Sequence, residues 1–170
     1  MIDPHPRPGD IGLTNINGPI GRLIRLGEWL NGDGFGAYAH AFVVLPNNQL
    51  IEADPGGAAI RPLNSYAATA TIYVYPDGLT DQQRTAICDA ARKYVGVPYG
   101  FTDYLALALH RFHIPAPGLR GAIAASRSMI CSQLCDKAYQ DAGIQLFRDG
   151  RWPGFVTPMA LYDLLAVDSR

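Results

Sequence analysis

The chain has 170 residues, of which 48% are hydrophobic and 17% charged, with a formal net charge of −1. That length suits one domain with a real core, and the composition excludes a disordered chain. The near-neutral balance, with no run of Lys or Arg, removes the electrostatic case for nucleic acid or an anionic membrane as partner.

Residues 1–8 form a proline-rich N-terminal segment without an apolar h-region, so no signal peptide is expected. No apolar stretch approaches the roughly 20 residues needed to span a bilayer, so no stable membrane insertion is expected. The expected location is cytoplasmic, or phage-borne or exported without a cleaved signal. Three cysteines are an odd number for a disulfide framework. Cys131 and Cys135 share a helix face, but no His or Cys cluster completes a zinc site, so neither a metal nor another cofactor is expected.

In chain order, residues 9–14 predict a short strand. Residues 20–30 carry a helical apolar stripe, and the Gly-rich 31–36 ends it as a loop. Residues 38–45 and 49–53, joined by Pro46-Asn47-Asn48, predict a β-hairpin. Asp54-Pro55-Gly56-Gly57 is a second turn, followed by a strand near 59–63 and another at 71–75. Thr80 caps a predicted helix over 81–95, with Asp81 in its first turn. Residues 101–109 predict a short apolar helix, and 110–127 a long loop or lid. A helix from Ser128 to about Ala142 stops at Gly143. Thr157-Pro158 starts a last helix running to about residue 165. No repeat or linker divides residues 1–170, so one domain is expected.

The chemistry lies in two segments far apart in sequence. His40 opens the strand of the hairpin, and Cys131 stands at the start of a helix, where the positive end of the dipole favours a thiolate. A thiol and an imidazole that meet in the fold are the minimum for nucleophilic thiol catalysis. Cys131 is the expected nucleophile and His40 the general base. Cys88 and Cys135 lack such a setting and are assigned to the core. Glu52, mid-strand across the hairpin, is the candidate that holds the imidazole. Asp54 shares its strand face and is the rival, although a turn residue before Pro55 is the preferred account of it. The Cys131 backbone N–H, with Tyr38 as a second donor, is the candidate oxyanion hole. Ser132 and Gln133 complete the candidates for oxyanion or substrate contacts.

Gly96-Val97-Pro98-Tyr99 and Cys131-Ser132-Gln133-Leu134 resemble the Gly-x-Pro-Tyr and Cys-Ser-x-Leu signatures of the NlpC-type papain-like cysteine hydrolases. Gly9-Asp10-Ile11, His40 at a strand start and Ile51-Glu52-Ala53 resemble that family's Gly-Asp strand and histidine strand. Ordinary members place the cysteine half first. The order here resembles the circularly permuted, YiiX-like branch, distantly related to the lecithin–retinol acyltransferase group. One departure is Gln133, where permuted members often carry an acid.

The resemblance implies an α+β, permuted papain-like fold in which an antiparallel sheet packs against the helix carrying the cysteine. It implies a cysteine peptidase or amidase that cleaves an amide bond through an acyl-enzyme. The implied substrate is a small peptide or peptidoglycan fragment, cut near D-glutamate and a diamino acid. The alternatives are a lipid or N-acyl hydrolase or acyltransferase acting on an acyl lipid, and a non-catalytic binding module on the same fold.

Overall fold

The computed structural model describes residues 2–3, 5–15, 37–100, 128–150 and 156–167. The helix expected over 20–30, the loop 31–36, the helix 101–109 and the loop 110–127 lie outside the described residues. The architecture is α+β. Strands β1 (Ile2–Asp3), β2 (Ile11–Thr14), β3 (His40–Leu45), β4 (Gln49–Asp54), β5 (Gly57–Pro62) and β6 (Thr71–Val74) form one antiparallel sheet in the order β1-β6-β2-β3-β4-β5. Helices α1 (Asp81–Arg92), α2 (Cys131–Asp141) and α3 (Pro158–Tyr162) complete the set, with a π-helical turn, Asp163–Val167, after α3. No helix among the described residues is long and apolar enough to cross a membrane.

Alternation along β3 sends its residues to opposite faces of the sheet. Ala41, Val43 and Leu45 join Ile11, Leu13, Ile51 and Ala53 on the face that α1 and α2 cover with Ile87, Ala91, Leu134 and Ala138. Phe42, Val44 and Leu50 form a smaller cluster on the other face, beneath Leu63, Tyr66 and Tyr73. Leu63–Tyr66 is a 3₁₀ turn, which enters from β5 with Leu63 N–H donating to the Asn48 carbonyl at 2.8 Å.

Several expected boundaries shift for physical reasons. The proline-rich start contributes β1, whose two residues pair with Tyr73 and Val74. The first helix of the sheet cover, α1, begins under a full capping box between Thr80 and Gln83 but ends at Arg92, three residues early, because a turn follows and Gly96 adopts φ 85°. The cysteine helix starts at Cys131 rather than Ser128. Met129 is instead held in a parallel bridge to Tyr99, with Met129 N–H donating to the Pro98 carbonyl and Gly100 N–H to the Met129 carbonyl, both at 3.0 Å. At the far end Gly143, with φ 81°, closes α2 as expected.

Two motifs that carry the family resemblance serve as scaffolding here. The Gly96–Tyr99 segment straps β5 to the cysteine segment: Gly96 N–H donates to the Ala58 carbonyl at 2.7 Å and Ala58 N–H to the Val97 carbonyl at 2.8 Å. Gly57 at that crossing has φ 101°, and a Cβ there would lie 3.0 Å from the Val97 oxygen. The Gly9-Asp10 pair anchors the front of the chain. Gly9 has φ 88° and its N–H donates to the Val44 carbonyl at 2.9 Å, while its own carbonyl accepts from the buried Tyr139 hydroxyl at 2.6 Å. Asp10, fully buried, accepts from Arg84 Nη1 at 2.6 Å and from Arg7 N–H at 2.8 Å. A carboxylate removed from water in this way requires such partners.

Candidate active site

The site forms where two strands part. The β3–β4 ladder runs from Leu45↔Gln49 to Val43↔Ile51 and goes no further, so His40, Ala41 and Phe42 lack a β4 partner. On the other edge β3 stays paired to β2 down to Thr14↔His40. Val44 N–H donates toward β2, to the Asp10 carbonyl, and the alternation of an antiparallel ladder therefore turns Ala41 N–H toward the open β4 side. There it meets the Cys131 sulfur, to which it donates a hydrogen bond. The N-terminus of α2 thus fills the gap that the missing ladder rungs leave.

Cys131 is fully buried, and burial alone would oppose its ionisation. The His40 imidazole outweighs that, by charge and by a hydrogen bond, and the Ala41 and Ser132 backbone N–H groups add donors. The thiol is held below its ordinary value of 9.0. Position at the first residue of α2 works in the same direction through the helix dipole. The other two thiols move the opposite way: burial pushes Cys88 up and Cys135 well up. One of three sulfurs is built to carry charge.

His40 is as buried as the thiol, at 1% exposure, and burial works against a charged ring. Cys131 and then Glu52 overcome it, and the ring is pushed up to about 9. Its Nε2 lies 2.7 Å from Glu52 Oε2, which leaves Nδ1 as the nitrogen that serves the sulfur. Glu52, in mid-β4, is 5% exposed; burial would raise its carboxyl, but His40 and the Tyr66 hydroxyl hold it below the ordinary 4.5. Asp54 is engaged in its own turn and with Arg61 rather than with His40. It accepts from Gly56 N–H at 2.7 Å and from Arg61 Nη2 at 2.8 Å, which is the work of a turn residue before Pro55.

The structure therefore brings Cys131, His40 and Glu52 together. The remaining candidates fall otherwise. Tyr38 packs its ring against Tyr162, with centroids 5.2 Å apart, and no described contact joins it to the sulfur. The Ser132 hydroxyl donates to the Val156 carbonyl at 2.7 Å, tying α2 to the start of α3; only its backbone N–H serves Cys131. Gln133 Oε1 accepts from Ile130 N–H at 3.0 Å, so it caps the helix on which Cys131 sits. Ile130 offers no polar side chain in return, so this is one half of a capping box. That duty needs an acceptor and no charge, which accounts for a glutamine in this place.

Tyr66 is the residue that sequence reasoning misses. Its hydroxyl donates to Glu52 Oε2 at 2.5 Å, and its ring stacks on Phe42 with centroids 5.2 Å apart and planes 8° from parallel. Burial, and then the carboxylate beside it, raise its own ionisation well above the ordinary tyrosine range. Among the described residues no group of three or more His, Cys, Asp or Glu side chains converges to hold a metal ion. A scan against protein-family models finds no match for the chain, and a search of curated proteins finds none either.

Proposed function

We propose that the chain is a cysteine hydrolase of the permuted NlpC-type papain-like kind, which cleaves an amide bond through an acyl-enzyme on Cys131. The observation that carries this reading is one thiol pushed down and one imidazole pushed up, hydrogen-bonded to each other, with a buried carboxylate on the far ring nitrogen. A buried histidine needs none of these arrangements for packing alone. Perturbed groups that perturb one another in this sense mark a reactive site.

The proposed reaction runs in two stages. The Cys131 thiolate adds to a carbonyl carbon, and the oxygen takes up the charge near the first turn of α2, whose leading amides lack acceptors within the helix. His40, already protonated, gives its Nδ1 proton to the leaving amine as the C–N bond breaks, and the acyl group stays on sulfur. Neutral His40 then takes a proton from water as its oxygen attacks the thioester; the acid leaves, the sulfur departs as thiolate, and the starting ion pair is restored. Glu52 keeps its charge throughout and holds the ring by Nε2. Cys131 is fully buried, so a substrate carbonyl reaches the sulfur only after the groups above it part.

The proposed substrates are wall-derived peptides with an amide between D-glutamate and a diamino acid. Incubation with such peptides, beside N-acyl lipids as the competing class, is expected to release the peptide product. Intact-mass and peptide mapping are expected to place a transient acyl group on Cys131, and Cys131→Ala is expected to abolish both. Turnover of acyl lipids alone would reassign the substrate. No acyl adduct on Cys131 with any member of either class would sink the hydrolase reading and leave a binding module.

A further inference from the structure

The carboxylate that steadies His40 is buried, and its strand is paired to β5 there but no longer to β3. Glu52 follows Ile51, the last β4 residue paired to β3, so the backbone on that side does not hold it against the histidine strand. Two donors fall on the same oxygen, Oε2: His40 Nε2 at 2.7 Å and the Tyr66 hydroxyl at 2.5 Å. The second oxygen, Oε1, is faced by Arg61 Nε at 3.6 Å, but that guanidinium is half exposed and bonded to Asp54 at 2.8 Å. Among the described residues, the groups that bear charge or titrate around Glu52 are His40 from β3, Cys131 from α2, Asp54 from β4, Arg61 from β5 and Tyr66 from the 3₁₀ turn.

Tyr66 is placed with care for a residue at the end of a short turn. Phe42 stacks under its ring, and the His40 ring centroid lies 5.8 Å away. Tyr66 also borders an open cavity of about 460 Å³, shared with Asn48, Leu63 and Tyr73. The hydroxyl's described partner is Glu52.

We propose that Tyr66 is a positioning residue for the thiol site: its hydroxyl pins Glu52 Oε2, so that the carboxylate keeps His40 turned toward Cys131. This rests on the reading of Cys131 and His40 as the reacting pair. Tyr66 touches neither sulfur nor substrate and acts through Glu52. Without its donor the buried carboxylate protonates more easily and wanders more freely, and each change weakens the imidazolium that sustains the thiolate.

The test follows the ionisation of Cys131 by the ¹³Cβ shift of cysteine-labelled full-length protein, a readout that needs no access to a buried thiol. Cys131→Ser assigns the signal. In the wild type the midpoint is expected below that of a free thiol, and in His40→Ala this depression is expected to vanish. In Tyr66→Phe, which keeps the ring stack, the midpoint is expected to rise by about one pH unit. With a wall peptide as substrate, kcat is expected to fall with little change in KM. In a Glu52→Gln background, Tyr66→Phe is expected to add no further shift.

A Tyr66→Phe profile that superimposes on the wild type overturns the positioning role while leaving the thiol reading intact. An equal shift in the Glu52→Gln background overturns the route through Glu52. A wild-type midpoint at the free-thiol value, indifferent to His40→Ala, removes the reacting pair and this proposal with it.

Discussion

Gly12 and Phe42 face each other across the β2–β3 ladder, and the phenyl ring fills the space that any side chain at residue 12 would need. A Cβ on residue 12 would come within 2.2 Å of the ring. That ring supports Tyr66, Tyr66 supports Glu52, Glu52 holds His40, and His40 meets Cys131. A glycine in a neighbouring strand is thereby linked to the sulfur through one ring stack and three hydrogen bonds.

Gly12→Ala is therefore expected to do more than crowd the core. The Phe42 ring must move, at a cost of about 1–3 kcal/mol for overpacking. Urea unfolding checks that loss. The Cys131 midpoint, followed in the same variant under native conditions, is expected to rise as Tyr66 loses its support. A destabilised protein with an unmoved midpoint would show that Phe42 carries packing alone.

The paired shifts set a definite pH signature. His40 is raised from 6.5 to about 9, so its own contribution to stability is full below 6.5 and is lost as the pH rises to about 9. Cys131 is lowered from 9.0, so its contribution is present above 9.0 and is lost as the pH falls through its folded value. Between 6.5 and about 9, and above the folded value of Cys131, the unfolded chain carries one proton, on its thiol, and the folded pair also carries one, on the imidazole. The two slopes cancel there. For this pair, urea midpoints of the wild type are expected to be flat across that window. In Cys131→Ser the thiol half is gone and Glu52 still favours the charged ring, so stability is expected to decline with rising pH. A serine variant as flat as the wild type would show that Glu52 alone does not hold His40 protonated.

Ser132 separates a side chain from its own backbone. Ser132→Ala removes the hydroxyl bond to Val156 and leaves a buried carbonyl short of a donor, at about 1–3 kcal/mol. The N–H that serves the sulfur is unaffected. Thermal unfolding is expected to show the loss, and the Cys131 titration is expected to stay where it was. A shifted titration would place the hydroxyl in the site after all.

What the letters disclosed depended on how local each feature is. Thr80 with Gln83, and Thr157 ahead of Pro158, announce their helices because a cap is written within four residues. The apolar run from Ala41 to Leu45 marks a strand, and His40 at its start is plain. The choice between Glu52 and Asp54 was half legible: Asp-Pro-Gly is turn chemistry, and Asp54 does cap that turn. Arg84 is buried against Asp10, a partner 74 residues away, and nothing within its own helix announces that contact. Tyr66 was illegible for the same reason. Its turn has no period, and its three partners, Phe42, Glu52 and His40, come from other strands. The end of the β3–β4 ladder leaves no trace in residue types, because register loss is decided by what wedges between the strands. The family-level fold and the substrate stay with the proposal.

Ala41 reaches the sulfur through its main chain. Every amino acid except proline brings that N–H to the same point, so the donor is a property of the chain's path and is indifferent to the identity of residue 41. The Ser132 N–H shares this property. A lineage can therefore exchange side chains around such a sulfur without dismantling its cradle, and the letters by which relatives are recognised drift while the donors remain. An alanine scan, the usual search for what matters, would pass over residue 41 in silence and would report only the hydroxyl of Ser132.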